Sequence, residues 1–204
     1  MDWPELSAEI GTRHLTAVGG FQATDDDALP DGTKTVILLG PKEPGFWHQV
    51  TRAPEWSDGK ADPLDRWSRR VIDRLADVFG AHAIYPFGGP PHWPFLSWAV
   101  RTGQIWPSPV GLLVHPEQGL WVSFRGALAL PFAVDLGRGR TAPCETCSDQ
   151  PCRAACPVGA LTPDGYDVPA CKTFIAKEAG ADCKTQCCAV RRACPVSQAW
   201  PRSP

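Results

Sequence analysis

The first 143 residues of this 204-residue chain contain no cysteine, and all nine cysteines fall between Cys144 and Cys194. Composition alone therefore sets a carboxy-terminal region apart. Other shortages narrow the possibilities further. A formal net charge of −2 leaves no excess of lysine and arginine to hold a nucleic acid or an anionic membrane. No apolar run approaches the roughly 18 residues that a membrane helix needs; the longest, Ala127 to Val134, is broken by Pro131. The amino terminus, Met1-Asp2-Trp3-Pro4-Glu5, lacks the basic segment and apolar stretch of a secretory leader, so a cytoplasmic location is expected. A disulfide framework needs an oxidising compartment and usually an even cysteine count, so metal binding is the better reading of nine thiols. No histidine follows His115, which removes the mixed Cys/His zinc modules.

Before the cysteines, strands and helices are interspersed. Thr35-Val36-Ile37-Leu38-Leu39, closed by Gly40-Pro41, reads as a buried central strand. Asp62-Pro63 offers an N-cap and a proline at the first helical position, and Leu64, Trp67, Val71, Leu75 and Val78 recur at helical spacing until Gly80. Ala83-Ile84-Tyr85 leads into the loop Pro86-Phe87-Gly88-Gly89-Pro90-Pro91, and a second helix is expected over 94–102. Val110–Val114 and Leu120–Phe124 read as strands joined by the turn Pro116-Glu117-Gln118-Gly119. Gly137 to Pro143 has linker composition.

The first cysteine group reads Cys144-x-x-Cys147, four residues, Cys152, three residues, Cys156-Pro157. Arg153-Ala-Ala-Cys156-Pro157-Val158 is then echoed by Arg191-Arg-Ala-Cys194-Pro195-Val196, an internal near-repeat that implies two facing half-sites. In the bacterial two-cluster iron–sulfur arrangement, three thiolates of a run hold one cluster and the fourth, followed by proline, reaches across to the other. That logic assigns Cys144, Cys147, Cys152 and Cys194 to one [4Fe–4S] cluster, and Cys156, Cys171, Cys183 and Cys188 to a second. Cys187 is a ninth thiol, spare or an alternative to Cys188. Four residues rather than two separate Cys147 from Cys152, and five rather than three separate Cys188 from Cys194. Structural zinc is the alternative occupant of such sites, but repeated Cys-Pro endings fit the iron–sulfur pattern better.

Other residues carry two readings each. His115, beside a turn, is either a structural hydrogen-bonding group or faces a cofactor. Gly88-Gly89 either lets a ring approach the backbone or simply turns the chain. Eight of nine tryptophans precede residue 122, Trp98 and Trp106 among them, and suit core packing or a flat pocket. Arg191 and Arg192 lie between ligands of the two sets, as a solvated pair or as charge that favours a reduced cluster.

Gly111-Leu-Leu-Val-His115-Pro116-Glu117-Gln-Gly119-Leu-Trp121, the cysteine runs and Cys171-Lys-Thr-Phe-Ile together resemble bacterial epoxyqueuosine reductases, which share their plan with reductive dehalogenases. The chain resembles short bacterial two-cluster ferredoxin-like proteins more closely still. The resemblance implies an α+β fold: an N-terminal α/β sandwich of flavin reductase type over 1–141, akin to a cobalamin-binding domain, then a ferredoxin-like 2[4Fe–4S] domain over 142–204. Gly88, Gly89 and His115 are the candidate residues for contact with such a cofactor, cobalamin or flavin. Where the family's proposed proton donor, an aspartate, would stand, this chain has Phe87-Gly88-Gly89-Pro90-Pro91, without a carboxylate. The helical repeats that follow in many such reductases lie outside these 204 residues, and tRNA is not an expected substrate. The expected function is electron transfer between a redox donor and an acceptor. A cobalamin- or flavin-dependent reductase and a metal-stapled structural or sensing module are the alternatives.

Overall fold

The computed structural model describes residues 2–201 except 138, 163 and 164. In chain order its regular elements begin with α1 (Trp3–Gly11), β1 (Leu15–Gln22), β2 (Thr35–Pro41), α2 (Phe46–Thr51), α3 (Pro54–Ser57), α4 (Pro63–Phe79), β3 (His82–Ile84) and α5 (Phe95–Arg101). They continue with β4 (Trp106–Pro107), β5 (Leu113–Val114), β6 (Gly126–Leu130), β7 (Leu161–Thr162), β8 (Gly165–Tyr166), α6 (Val168–Ile175), α7 (Ala181–Thr185), α8 (Ala189–Ala193) and α9 (Pro195–Ala199). The class is α+β. Two compact units form, and they are not simply consecutive: among the described residues 2–103 join 123–139, and 104–122 join 140–201. Residues 104–122, counted in the sequence with the first domain, thus cluster with the cysteine region. Of the linker segment 137–143, Arg138 lies outside the described residues.

The first unit is built on an antiparallel sheet ordered β1-β2-β6-β3. Strand β2 is interior, and Val36, Ile37, Leu38 and Leu39 are all fully buried, which is why it reads as an unbroken apolar run rather than an alternating one. Ile37, Leu39, Leu128 and Leu130 share a core with Leu6 and Ile10 of α1, Phe46 and Val50 of α2, and Trp67, Val71, Ile72 and Leu75 of α4. Helix α4 follows its sequence pattern with two corrections. Val78 is 55% exposed and Phe79 takes the inward position; Asp62 has φ +52° and makes no side-chain cap. The helix ends, as expected, on Gly80 at φ +59°.

The interior partner of β2 is β6, Gly-Ala-Leu-Ala-Leu, whose small residues carry little strand propensity. A Cβ at Gly126 would lie 2.6 Å from Cδ1 of Ile72, so glycine is what lets α4 approach the sheet. The expected strands at 110–114 and 120–124 shrink to β5, whose partner is β4 rather than 120–124. Their turn is real: the His115 and Gly119 amides donate to each other's carbonyls at 3.0 and 2.9 Å. In the second unit Val110, Val114, Leu120 and Val190 form a small core with Cys152 and Cys194. Among the described residues no helix is long and apolar enough to cross a membrane.

Candidate metal centre

All nine thiols are free, none being paired in a disulfide. The two copies of the sequence repeat adopt related shapes. Pro151–Ala154 forms a 3₁₀ turn ahead of Cys156-Pro157, and α8 runs directly into Cys194-Pro195. The two helical pieces pack on one another. Cys152 therefore meets Cys194 across more than forty residues of chain, both 7% exposed. Proline after Cys194 starts α9 at the position where a missing amide costs nothing.

Cys144, Cys147, Cys152 and Cys194 all line one cavity of about 390 Å³, together with Val114 and Leu120. Burial pushes the Cys144 thiol up, and the neighbouring Cys152, Cys194 and Cys147 push it further. Cys152 is raised in the same way, by burial first and then by Cys194 and Cys147. Ionising several such thiols together is unfavourable unless a cation compensates, so the donor set fits a metal-containing group that supplies positive charge.

A second group gathers at Tyr166. Interaction with Cys171, burial and the neighbouring Cys188 and Cys156 push its phenol up to about 12. Cys156 Sγ accepts a hydrogen bond from the Ala160 amide at 3.2 Å, the kind of backbone contact that offsets charge on a ligating sulfur. Cys187 adopts φ +65°, and its carbonyl accepts from Arg192 Nε at 3.2 Å. Arg192 also pairs with Asp182, which ties α8 to α7, and Arg191 stands 6.0 Å over the Trp121 ring. Among the described residues no three His, Cys, Asp or Glu side chains are drawn together around a point suited to a single ion. A mononuclear zinc site would hold its thiolates about 2.3 Å from one metal.

The turn beside the cavity is fastened to the segment after Cys194. Ser197, 3% exposed, accepts from the Leu120 amide through Oγ at 2.8 Å and from Trp121 Nε1 through its carbonyl at 3.2 Å. Gly119, at φ +57°, leaves room for this contact, since a Cβ there would stand 2.4 Å from the Ser197 nitrogen. No sequence signal pointed to Ser197. His115 is 7% exposed, and its Nδ1 accepts from the Glu117 and Gln118 amides at 3.1 and 3.2 Å. Burial lowers its pKa to about 4, against a weaker opposing pull from Glu117. The ring is thus neutral, and its Nδ1 lone pair is committed to the turn.

Gly88 and Gly89 belong to the first unit and His115 to the second. The glycines line a cavity of about 190 Å³ with Arg69, Tyr85 and His92. A Cβ on Gly89 would lie 2.4 Å from His92 Nδ1, so the space the glycine frees is occupied by the imidazole. Pockets that take drug-sized ligands run from about 300 Å³ upwards; this cavity does not fit a corrin or an isoalloxazine ring. Trp98 is a core residue, 4% exposed, in ring contact with Phe21, Trp93 and Phe95. Trp106 lies in the other unit, packed against its small core.

Comparison with known proteins fits this arrangement. The fold is that of epoxyqueuosine reductase: the structure from Streptococcus thermophilus superposes with a TM-score of 0.55 over 98% of this chain and 67% of that one, at 14% identity. In sequence, the chain is 36% identical over 102 residues to the methylamine utilization ferredoxin-type protein MauM of Paracoccus denitrificans. That match covers 50% of this chain and spans less than half, 42%, of the relative's length. No family model matches. The chain is thus related to a ferredoxin-type protein and shares its fold with epoxyqueuosine reductase, as its motifs imply.

Proposed function

We propose that this chain is an iron–sulfur electron-transfer protein carrying two [4Fe–4S] clusters. Cys144, Cys147, Cys152 and Cys194 would hold the first, and Cys156, Cys171, Cys183 and Cys188 the second. The observation that carries the reading is the meeting of Cys194 with the first three thiols around one cavity. A cysteine followed by proline that crosses from a distant run is the signature of interlocked two-cluster sites. The ferredoxin-type relative and the reductase fold support an iron–sulfur redox role. When bound, the clusters would accept and release single electrons. The chain's own residues would hold them, bury Cys152 and Cys194 of the first set and place the Ala160 amide beside the Cys156 sulfur. A redox donor and a redox acceptor are the implied partners.

The test is purification without oxygen, followed by iron, acid-labile sulfide and zinc analysis and by paramagnetic resonance before and after dithionite. About eight irons and eight sulfides per chain, with reversible bleaching, are expected. A chain that carries zinc, with no chromophore on reconstitution, would overturn the reading.

A further inference from the structure

Ser108 stands where the chain leaves β4, between Pro107 and Pro109, and both of its backbone polar groups are engaged. Its amide donates to the Leu112 carbonyl at 2.8 Å, and its carbonyl accepts from the Gly111 amide at 3.0 Å. The pairing of Pro107 with Leu113 and the fixed φ of both prolines hold the residue in place. Ser108 lines the cavity of about 390 Å³ that Cys144, Cys147, Cys152 and Cys194 also line. The residue is 8% exposed, and among the described residues its hydroxyl is buried without a hydrogen-bond partner. Thr146, Ser148 and Asp149, which line the same cavity, are exposed. A buried hydroxyl left unpaired is uncommon, because it forfeits its bonds to water, and it points to a group that binds there. Ser7, the other buried hydroxyl without a partner, lies on α1 and does not line this cavity.

We propose that the Ser108 hydroxyl donates a hydrogen bond to a sulfur of the cluster held by Cys144, Cys147, Cys152 and Cys194, and thereby raises the reduction potential of that cluster. The inference rests on the two-cluster reading above. Thiolate and sulfide sulfurs are acceptors, and a serine hydroxyl has one proton to donate, so the two match. No covalent bond forms or breaks. One-electron reduction adds a negative charge that is shared with the sulfurs, and a donor aimed at one of them stabilises the reduced form more than the oxidised form. Burial keeps water from competing for the bond. Cys156, Cys171, Cys183 and Cys188 do not line this cavity, so Ser108 acts on one cluster and separates the two potentials.

The test pairs Ser108→Ala, which removes the donor, with Ser108→Thr, which keeps it. Wild type and both variants are purified without oxygen, their iron and sulfide counted, and all three titrated with dithionite under paramagnetic resonance. The expected result for Ser108→Ala is full iron content with one midpoint lowered and the other unmoved. The reduction equilibrium of the affected cluster should fall about tenfold, equivalent to about 59 mV for a one-electron couple. Ser108→Thr should keep both wild-type midpoints. Two unmoved midpoints in Ser108→Ala at full iron content overturn the proposal, as does an equal fall in both. The same lowering in Ser108→Thr overturns it too, since the effect then comes from packing and not from the hydroxyl proton. Loss of one cluster from Ser108→Ala also overturns it and assigns Ser108 to holding the cluster instead. Wild-type protein without iron would sink the two-cluster reading itself, and this inference with it.

Discussion

Ser197 Oγ accepts a 2.8 Å hydrogen bond from the amide of Leu120, joining the His115–Gly119 turn to the helix that follows Cys194. The bond is buried and spans 77 positions of sequence. It links the small apolar core of the second unit to the loop that presents a candidate ligand.

Ser197→Ala should leave the Leu120 amide buried and unpaired, at a cost of about 1–3 kcal/mol. Gly119→Ala should cost more, about 2–4 kcal/mol, because it adds a clash with Ser197 to an unfavourable positive φ. Denaturant unfolding of the anaerobic proteins checks the order. In both variants a chelator should strip iron faster than from wild type.

His115 predicts an acid-sensitive component of stability. Its folded-state pKa, about 4, lies below the ordinary value of 6.5. The unfolded chain therefore binds a proton that the folded chain does not, so stability is complete above about pH 6.5 and is lost as pH falls towards 4. The limiting contribution is on the order of 3 kcal/mol. His115→Asn retains an acceptor near the Nδ1 position but does not titrate. The difference in unfolding midpoint between wild type and variant, measured from pH 7.5 to 4.5, should grow in the variant's favour with acidity.

The ninth thiol can be separated from the ligands by substitution. Cys194→Ser should lose roughly half of the bound iron, and Cys183→Ser likewise, whereas Cys187→Ser should keep nearly all of it. Iron and sulfide analysis after anaerobic purification decides the matter. Iron loss from Cys187→Ser with retention in Cys188→Ser would exchange the two assignments.

In the first unit, Arg125 pairs with Asp65 at 2.5 Å and donates to Ser68 Oγ at 3.1 Å, with 15% of its side chain exposed. Arg125→Ala should cost about 1–3 kcal/mol, since Ser68 is fully buried and loses a partner. Arg13, more than a third exposed and 3.8 Å from Glu9, should cost less than about 0.5 kcal/mol when truncated. Thermal or denaturant unfolding of the two variants tests the contrast.

Strand β2 and helix α4 were legible because each pattern reports its own burial: an unbroken apolar run inside a sheet, and apolar positions at helical spacing on its surface. Strand β6 was not legible as a strand. Its glycine answers to the closeness of α4, a requirement set by Ile72 elsewhere in the chain. Leu120–Phe124 failed in the opposite sense, having strand-like residues but no strand partner. The Leu120 amide goes to Ser197 and the Trp121 amide to Gln118.

By itself the sequence determined the chemistry of the candidate centre. Nine soft donors in two Cys-Pro-terminated runs, after 143 residues without one, define what can be bound whatever the surrounding fold. Spacing along the chain also brought Cys144, Cys147 and Cys152 together, because short loops leave them little choice. Only the tertiary structure brought Cys194 to them and gave the His115 Nδ1 its two amide donors in the turn. These are contacts between segments far apart in sequence or choices made by burial, and both depend on how the second unit fills its small core.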